Sequence, residues 1–185
     1  MFDRWDEFYL LAGSAAAVLI GLIFVVMTLM QDRPRSSVLA GSKLYMGPVV
    51  LQVSFVLVLS AAALVPGISA QAFAMTLAVV ALWGAVRGVM SAVGIAAIKD
   101  PEVHWTDKWF YGVFPTAVYA ALAVMAWAFW SGRSWAAVGV AATITALLLL
   151  SIRNEWDLVT WLAPKADSDA PDAKLEKADP GSRPG

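Results

Sequence analysis

The chain has 185 residues, of which 60% are hydrophobic and only 15% are charged. Because a water-soluble domain carries roughly 25% charged residues, this composition excludes an ordinary soluble fold. A net charge of −1 argues against a nucleic-acid-binding surface, and the lack of cysteine excludes disulfides, thiolate nucleophiles and Cys-based metal sites.

Long charge-free runs predict the architecture. Residues 8–31, 44–86, 109–132 and 134–152 contain no Asp, Glu, Lys or Arg. About 20 helical residues cross the hydrocarbon layer of a bilayer, so the second run is long enough for two crossings, and the turn-forming pair Pro66-Gly67 divides it. We therefore predict an all-α integral membrane bundle with five transmembrane helices, at about 8–30, 44–65, 69–98, 110–130 and 135–162.

The charges that flank these runs predict how the chain sits in the membrane. The first run follows Asp3, Asp6 and Glu7 with only Arg4 to balance them, so we predict a retained helix rather than a signal peptide. An outside N-terminus places seven Lys and Arg residues on the cytoplasmic side and two outside, which predicts an N-outside, C-inside protein of the inner membrane. The polar residues 164–185 predict a disordered cytoplasmic tail.

Two predicted helices carry small residues at every fourth position. These are Gly13, Ala17 and Gly21 on the first helix, and Gly84, Gly88 and Ala92 on the third. In lipid, small residues let helix backbones approach closely, so all six are predicted helix-packing positions. Two interpretations stay open: contacts inside one chain's bundle, which we favour, and contacts between subunits.

The third and fifth predicted helices carry a candidate polar cluster near their cytoplasmic ends. Arg87 lies about 18 residues into the third helix, and the run that contains Arg153, Asn154, Glu155 and Asp157 starts at nearly the same depth in the fifth. Because charges inside a membrane usually find partners, we predict that Arg87 bridges to Asp157 or Glu155, with Gln52 in the same cluster. The alternative is a solvated helix end and an arginine that extends to the lipid headgroups.

The sequence offers no recognisable set of catalytic or cofactor-binding residues. Its single histidine, His104, falls in a predicted loop, which disfavours haem ligation and a Ser-His-acid triad. Asp100, Glu102 and Asp107 in the same loop lack a known metal-loop spacing. We therefore expect no catalytic residue, no metal and no cofactor. The expected partners are the lipid bilayer and other membrane helices, with no nucleic acid.

Both ends of the predicted bundle resemble those of small bacterial multi-span membrane proteins of uncharacterised function. The residues concerned are Trp5-Asp6-Glu7-Phe8-Tyr9 with the apolar run 13–25, and Arg153-Asn154-x-Trp156-Asp157-Leu158. The resemblance covers the first and last helices and implies a bacterial multi-span membrane protein. It supplies no activity and no site residue.

These patterns predict a non-enzymatic multi-pass membrane protein that acts through helix–helix contacts, as a homo-oligomer or as an accessory subunit of a membrane complex. The alternative is a small oligomeric channel or transporter in which Arg87 and residues 153–157 line a vestibule or gate on the cytoplasmic side. A membrane enzyme is disfavoured, because the chain has no cysteine and only a loop histidine.

Overall fold

A computed structural model of the chain describes residues 5–29, 47–97 and 108–168, with side chains as far as Thr160. Within these ranges the chain forms five α-helices and no strand: α1 (Asp6–Leu29), α2 (Gly47–Ala63), α3 (Ala70–Ala97), α4 (Phe114–Trp130) and α5 (Ala136–Ser168). One π-helical turn, Trp109–Val113, directly precedes α4. The predicted all-α helical bundle is confirmed.

Four helical segments are long and apolar enough to cross a bilayer: Asp6–Thr28, Ala70–Ala97, Trp109–Trp130 and Ala136–Thr160. The remaining helix, α2, is also apolar but has 17 residues, about 26 Å at 1.5 Å per residue. Its predicted span began at residue 44, and residues 44–46 lie outside the described part of the chain. At the other extreme, α5 continues past the predicted end of the membrane domain at 163. The rest of the predicted disordered tail, 169–185, lies outside the described residues.

The Pro66-Gly67 turn separates α2 from α3, as the sequence predicts. Gly67 has a φ of +71°, in the left-handed region where a side chain would be strained. Ser69 then caps α3, because its hydroxyl accepts a hydrogen bond from the Ala72 N–H at 3.1 Å. One turn residue and one capping residue thus divide the 43-residue charge-free run into two helices.

The end of α4 is closed by a glycine in the same way. The Arg133 N–H donates to the Ala128 carbonyl at 2.9 Å, and the Gly132 N–H donates to the Phe129 carbonyl at 3.1 Å. This is the hydrogen-bond pattern of a Schellman motif, and it requires the positive φ of +67° that Gly132 adopts. The motif lets α5 start within a few residues and run back beside α4.

Buried aromatic rings show which helix ends meet. Tyr9 in the first turn of α1 packs edge-on against Phe73 near the start of α3, with ring centroids 6.4 Å apart. Phe73 in turn packs against Phe129 near the end of α4, at 5.2 Å. All three side chains are fully buried. The start of α1, the start of α3 and the end of α4 therefore lie together, at what we call the Tyr9 end of the bundle.

The opposite end, which we call the Glu155 end, is where α1 finishes, α2 begins and α5 nears its end. Val26 of α1, Val49 of α2 and Leu158 of α5 line one small cavity there, together with Glu155. Since α2 begins here and leads to the start of α3 at the Tyr9 end, it runs antiparallel to α1. The five helices therefore alternate in direction, and the start of α1 and Glu155 of α5 lie at opposite ends.

The helices pack as a ring in chain order, and α5 closes the ring against α1. In addition, α2 contacts α5 across the bundle, whereas α3 and α5 share no major interface. The most extensive interface joins α3 and α4. Large apolar side chains remain on the outside of the bundle, as expected for a surface in contact with lipid; examples are Leu11, Phe24, Leu82, Leu149 and Trp156.

Candidate functional site

The buried polar contacts between helices of the bundle involve α5, and one of them is made by Gln52 of α2. Gln52 is 2% exposed, and its Nε2 donates a hydrogen bond of 2.9 Å to the backbone carbonyl of Leu147. Placing an amide inside a membrane bundle costs free energy unless the amide is hydrogen-bonded. The bond therefore specifies where α2 sits on α5. Gln52 therefore bonds α5 two turns before Glu155, away from residues 153–157, with which the sequence predicts it to cluster.

The π-helical turn before α4 presents an unusual acceptor to α5. The Phe114 N–H donates to the Trp109 carbonyl, five residues earlier, so the Phe110 carbonyl loses its usual α-helical donor. The next residue in line is Pro115, which has no N–H to offer. The Asn154 side chain supplies the missing donor, with its Nδ2 3.3 Å from the Phe110 carbonyl oxygen. The backbone carbonyl that the π-helical turn leaves without a donor thus accepts a hydrogen bond from a side chain of α5.

Tyr111 of the same turn strengthens the contact with α5. Its hydroxyl lies 3.1 Å from the backbone carbonyl of Asn154 and 3.5 Å from Oδ2 of Asp157, both of which accept hydrogen bonds. Tyr111 is 2% exposed and Asn154 is 1% exposed, so this contact excludes solvent and lipid. The π-turn and α5 consequently each donate a hydrogen bond to the other.

Arg153 covers the cluster from outside. Its guanidinium carbon lies 3.3 Å from the centroid of the Phe110 ring, and its Nη1 donates to Oδ1 of Asn154 at 3.3 Å. The same Nη1 lies 4.0 Å from Oδ2 of Asp157, one turn along α5. Both charged side chains are more than one-third exposed, so this ion pair contributes little by itself. The stacking on Phe110 gives Arg153 a defined position.

Glu155 faces away from these residues, as its place on the helix predicts. It is 7% exposed and lies against the cavity between α1, α2 and α5, lined also by Ile23, Val26, Val49 and Leu158. Its Oε1 is buried and accepts no hydrogen bond. The Ser151 hydroxyl, one turn earlier on α5, is likewise buried without a partner.

Arg87 does not join the cluster, and the predicted bridge to Asp157 or Glu155 is not formed. Arg87 is exposed on the outer surface of α3, in a shallow groove with Val79, Leu82, Trp83 and Val86. Since α3 shares no major interface with α5, these groups are not neighbours. The exposure of Arg87 agrees with the alternative interpretation, whereas the burial of Asn154 and Glu155 does not agree with its solvated helix end. Arg87 and residues 153–157 consequently line no common vestibule in the described part of the chain.

The small-residue ridge of α3 is a helix-packing surface within the chain. A Cβ atom placed on Gly84 would overlap the ring of Tyr119, and one placed on Gly88 would overlap the hydroxyl of Thr116. Ala92 packs against Gly112, where an added Cβ would lie 2.5 Å from the Ala92 Cβ. The three contacts follow one another in antiparallel order along α4 and the π-turn. They explain why α3 and α4 form the most extensive interface.

The ridge of α1 behaves differently. A Cβ atom on Gly13 would lie 3.2 Å from the Ser60 Cβ of α2, so Gly13 belongs to the α1–α2 interface. Ala17 and Gly21 are exposed, and nothing lies within 4 Å of a Cβ placed on Gly21. Each step of four residues rotates about 40° around a helix, which carries the ridge from α2 out to the lipid-facing side. Only the first of the three predicted packing positions packs inside the bundle.

Phe110 and Tyr111 belong to the polar cluster but are not among its predicted residues, and Ser151, which lies beside Glu155, is a further buried polar residue that was not predicted. Pro115 was a signal for the first two, since a proline in the first turns of a helix removes a backbone donor and changes the hydrogen bonds before it. Among the described residues, no group of three or more His, Cys, Asp or Glu side chains is arranged to hold a metal ion. The hydrogen bonds of Tyr111 and Asn154 join the π-turn to α5.

Comparison with other proteins adds no further relationship. No protein-family model, no curated protein and no solved structure matches this chain. The resemblance of the two chain ends to small bacterial membrane proteins therefore stays a prediction.

Proposed function

We propose that this protein is a non-enzymatic, multi-pass scaffold of the inner membrane, with its N-terminus outside, that acts by packing α1 against another transmembrane helix. The observation that carries the proposal is the uncovered part of the α1 ridge. Ala17 and Gly21 are exposed to lipid, and Ser14 is exposed on the same side of the helix. The comparable ridge on α3 is already occupied by α4.

The partner we assign to this face is α1 of a second copy. Two copies in one membrane share the same orientation, so their α1 helices meet in parallel and present identical small residues to each other around a twofold axis. Close backbone approach between small residues is the main source of helix association in lipid, where there is no hydrophobic drive. An accessory subunit that presents the face to a different membrane protein is the alternative.

The test compares oligomeric state in lipid nanodiscs by native mass spectrometry. We expect a wild-type dimer and a shift to monomer in Gly21→Leu, because the larger side chain prevents close approach and its Cβ would meet nothing within 4 Å in its own chain. Ala123→Leu is the matched control, since Ala123 is a small exposed residue on α4. A Gly21→Leu dimer as stable as the control would contradict the proposal.

A monomeric wild type would reject self-association and leave the accessory-subunit alternative. That alternative has its own direct test, because the chain contains no cysteine. Gly21→Cys creates a unique cross-linking position in native membranes, and Ala123→Cys serves as its control. Cross-linking of Gly21→Cys to a different membrane protein, absent from Ala123→Cys, supports the accessory role; equal patterns from both variants contradict it.

A further inference from the structure

Two buried polar atoms of α5 lack hydrogen-bond partners and share one helix face. Ser151 is fully buried and Glu155 is 7% exposed, and neither the Ser151 hydroxyl nor Glu155 Oε1 makes a hydrogen bond. Residues four apart on a helix lie one above the other. The other polar side chains at this level, Asn154, Arg153 and Asp157, are engaged with each other and with the π-turn. The Ser151 hydroxyl and Glu155 Oε1 therefore contribute no hydrogen bond to the packing of the helices.

The cavity beside Glu155 is lined by apolar side chains from three helices. Ile23 and Val26 face it from α1, Val49 faces it from α2, and Leu158 follows it on α5. None of these residues is titratable or charged. The nearest charged side chains on its own helix, Arg153 and Asp157, form their ion pair on the side that faces the π-turn. No cation in the described part of the chain approaches the carboxyl group.

An ionised carboxylate is costly in such a place. Burying an unpaired charge among apolar side chains costs far more than burying the same group in neutral form, and a carboxyl group avoids the cost by holding a proton. A metal ion is a poorer solution here, because hard cations need about six oxygen ligands and the cavity is lined by apolar side chains. Protonation needs only the carboxyl group itself.

We propose that Glu155 is a proton-binding site, at which the carboxyl group holds a proton at neutral pH and exchanges it with the aqueous phase at the Glu155 end of the bundle. The distance to that phase is short, since the apolar span of α5 ends at Thr160, about 8 Å further along the helix axis. The bound proton also supplies a donor on the same helix face as the Ser151 hydroxyl. Loss of the proton places a charge between α1, α2 and α5 and weakens their packing.

The assignment goes beyond the scaffold role and does not depend on it. The scaffold proposal concerns Ala17 and Gly21 on the outside of α1, whereas Ile23 and Val26, which face Glu155, lie on its inside. Failure of either proposal leaves the other standing, because oligomeric state tests the first and the protonation state of one carboxyl group tests the second.

The experiment uses the full chain in lipid nanodiscs and a hydrophobic carbodiimide, which reacts with protonated carboxyl groups that are accessible from lipid. Peptide mass mapping locates the label and gives its rate at each pH. We expect Glu155 to be labelled at neutral pH, with a rate that falls about tenfold per pH unit above the midpoint of the titration. Glu155→Gln should lose this label, and Asp157→Asn should keep it.

Three results would overturn the assignment. One is no label at Glu155 at any pH at which circular dichroism shows the bundle intact. Another is a labelling rate that does not change with pH. The third is suppression of the label at fixed pH when sodium replaces choline as the buffer cation, since that would identify a metal-cation site instead. Because the wild-type titration locates the label by itself, the test holds even where Glu155→Gln does not fold.

Discussion

Gln52 and Leu147, which are 95 positions apart in the sequence, are joined by a buried hydrogen bond from the Gln52 amide to the Leu147 carbonyl. Gln52 lies on α2, the one helix that contacts α1, α3 and α5. The bond therefore fixes the rotation of this shared helix against α5. In a membrane, hydrogen bonds between helices are worth about 0.6 kcal/mol on average and at most about 2 kcal/mol.

Replacing Gln52 tests the value of this bond. We expect Gln52→Leu to lower the free energy of unfolding by about 1 kcal/mol, because the side chain keeps its bulk but loses the donor. Unfolding by a denaturing detergent in mixed micelles measures the difference. Ser54→Ala is the control, since the Ser54 hydroxyl bonds only the Val50 carbonyl of its own helix. Equal stability of the two variants would show that the α2–α5 hydrogen bond contributes nothing.

The two small-residue ridges should respond oppositely to one added methyl group. Gly84→Ala places a Cβ where the Tyr119 ring lies, so we expect a loss of about 1–3 kcal/mol in the free energy of unfolding. Gly21→Ala meets nothing within 4 Å and should leave monomer stability unchanged or slightly raised, since alanine favours helix. Thermal unfolding of both variants in detergent, at concentrations where the chain is monomeric, makes the comparison. A larger loss in Gly21→Ala than in Gly84→Ala would contradict the packing described.

The effects of Asn154 and Pro115 on the free energy of unfolding should be coupled, because the Asn154 side chain replaces the backbone donor that Pro115 lacks. Asn154→Ala leaves the Phe110 carbonyl without its donor, at a cost of about 1–3 kcal/mol. Pro115→Ala restores a backbone N–H beside that carbonyl, so Asn154→Ala should cost about 1 kcal/mol less in the Pro115→Ala background. A double-mutant cycle of unfolding free energies measures this coupling. Additive costs would show that Asn154 does not act through the freed carbonyl.

The two arginines of the predicted cluster should differ clearly. Arg153→Leu removes the stacking on Phe110 and the bond to Asn154, and we expect a loss of about 1 kcal/mol. Arg87→Leu removes an exposed side chain that has no partner among the described residues, so the free energy of unfolding should change by less than about 0.5 kcal/mol. Unfolding in the same mixed micelles measures both. A greater loss in Arg87→Leu would indicate a partner for Arg87 that the structure does not show.

The helices could be predicted from the sequence because lipid imposes a simple rule. Backbone polar groups must be satisfied within each crossing, so a charge-free run long enough to span the bilayer indicates a helix. The position of the α2–α3 turn could also be predicted, because Pro66-Gly67 is a turn-forming pair. Gly84, Gly88 and Ala92 were identified as packing positions because small side chains every fourth residue mark a surface for close approach.

The direction of Arg87 could not be predicted in this way. Arg87 lies within about 100° of Gly84, Gly88 and Ser91 around α3, which makes it look like part of the same face. The buried arc of α3 is centred on the opposite side of Gly84, nearer Leu77 and Ile95, so Arg87 falls just outside it. A shift of a few tens of degrees decides between burial and lipid exposure, and the positions of α2 and α4, which pack against α3, determine that shift.

The residues that contact the polar side chains of α5 could likewise not be predicted from the sequence pattern. Asn154 was recognised as polar, but its partner is a carbonyl freed by the π-turn of a different helix. The spacing of residues within α5 does not predict which helix packs against it. In addition, a π-turn has no strong sequence signature. Glu155 lies on the face opposite Arg153 and Asp157, a relationship that depends only on spacing within a single helix.

The five helices alternate in direction across the membrane, so the start of α1 and the end of α5 lie on opposite sides. Since the chain has no cysteine, single substitutions report topology cleanly with a membrane-impermeant maleimide in intact cells. We predict that Asp6→Cys, Ser69→Cys and Ser131→Cys are labelled from outside, whereas Thr160→Cys is labelled only after the membrane is opened. Labelling of Asp6→Cys and Thr160→Cys from the same side would contradict the account.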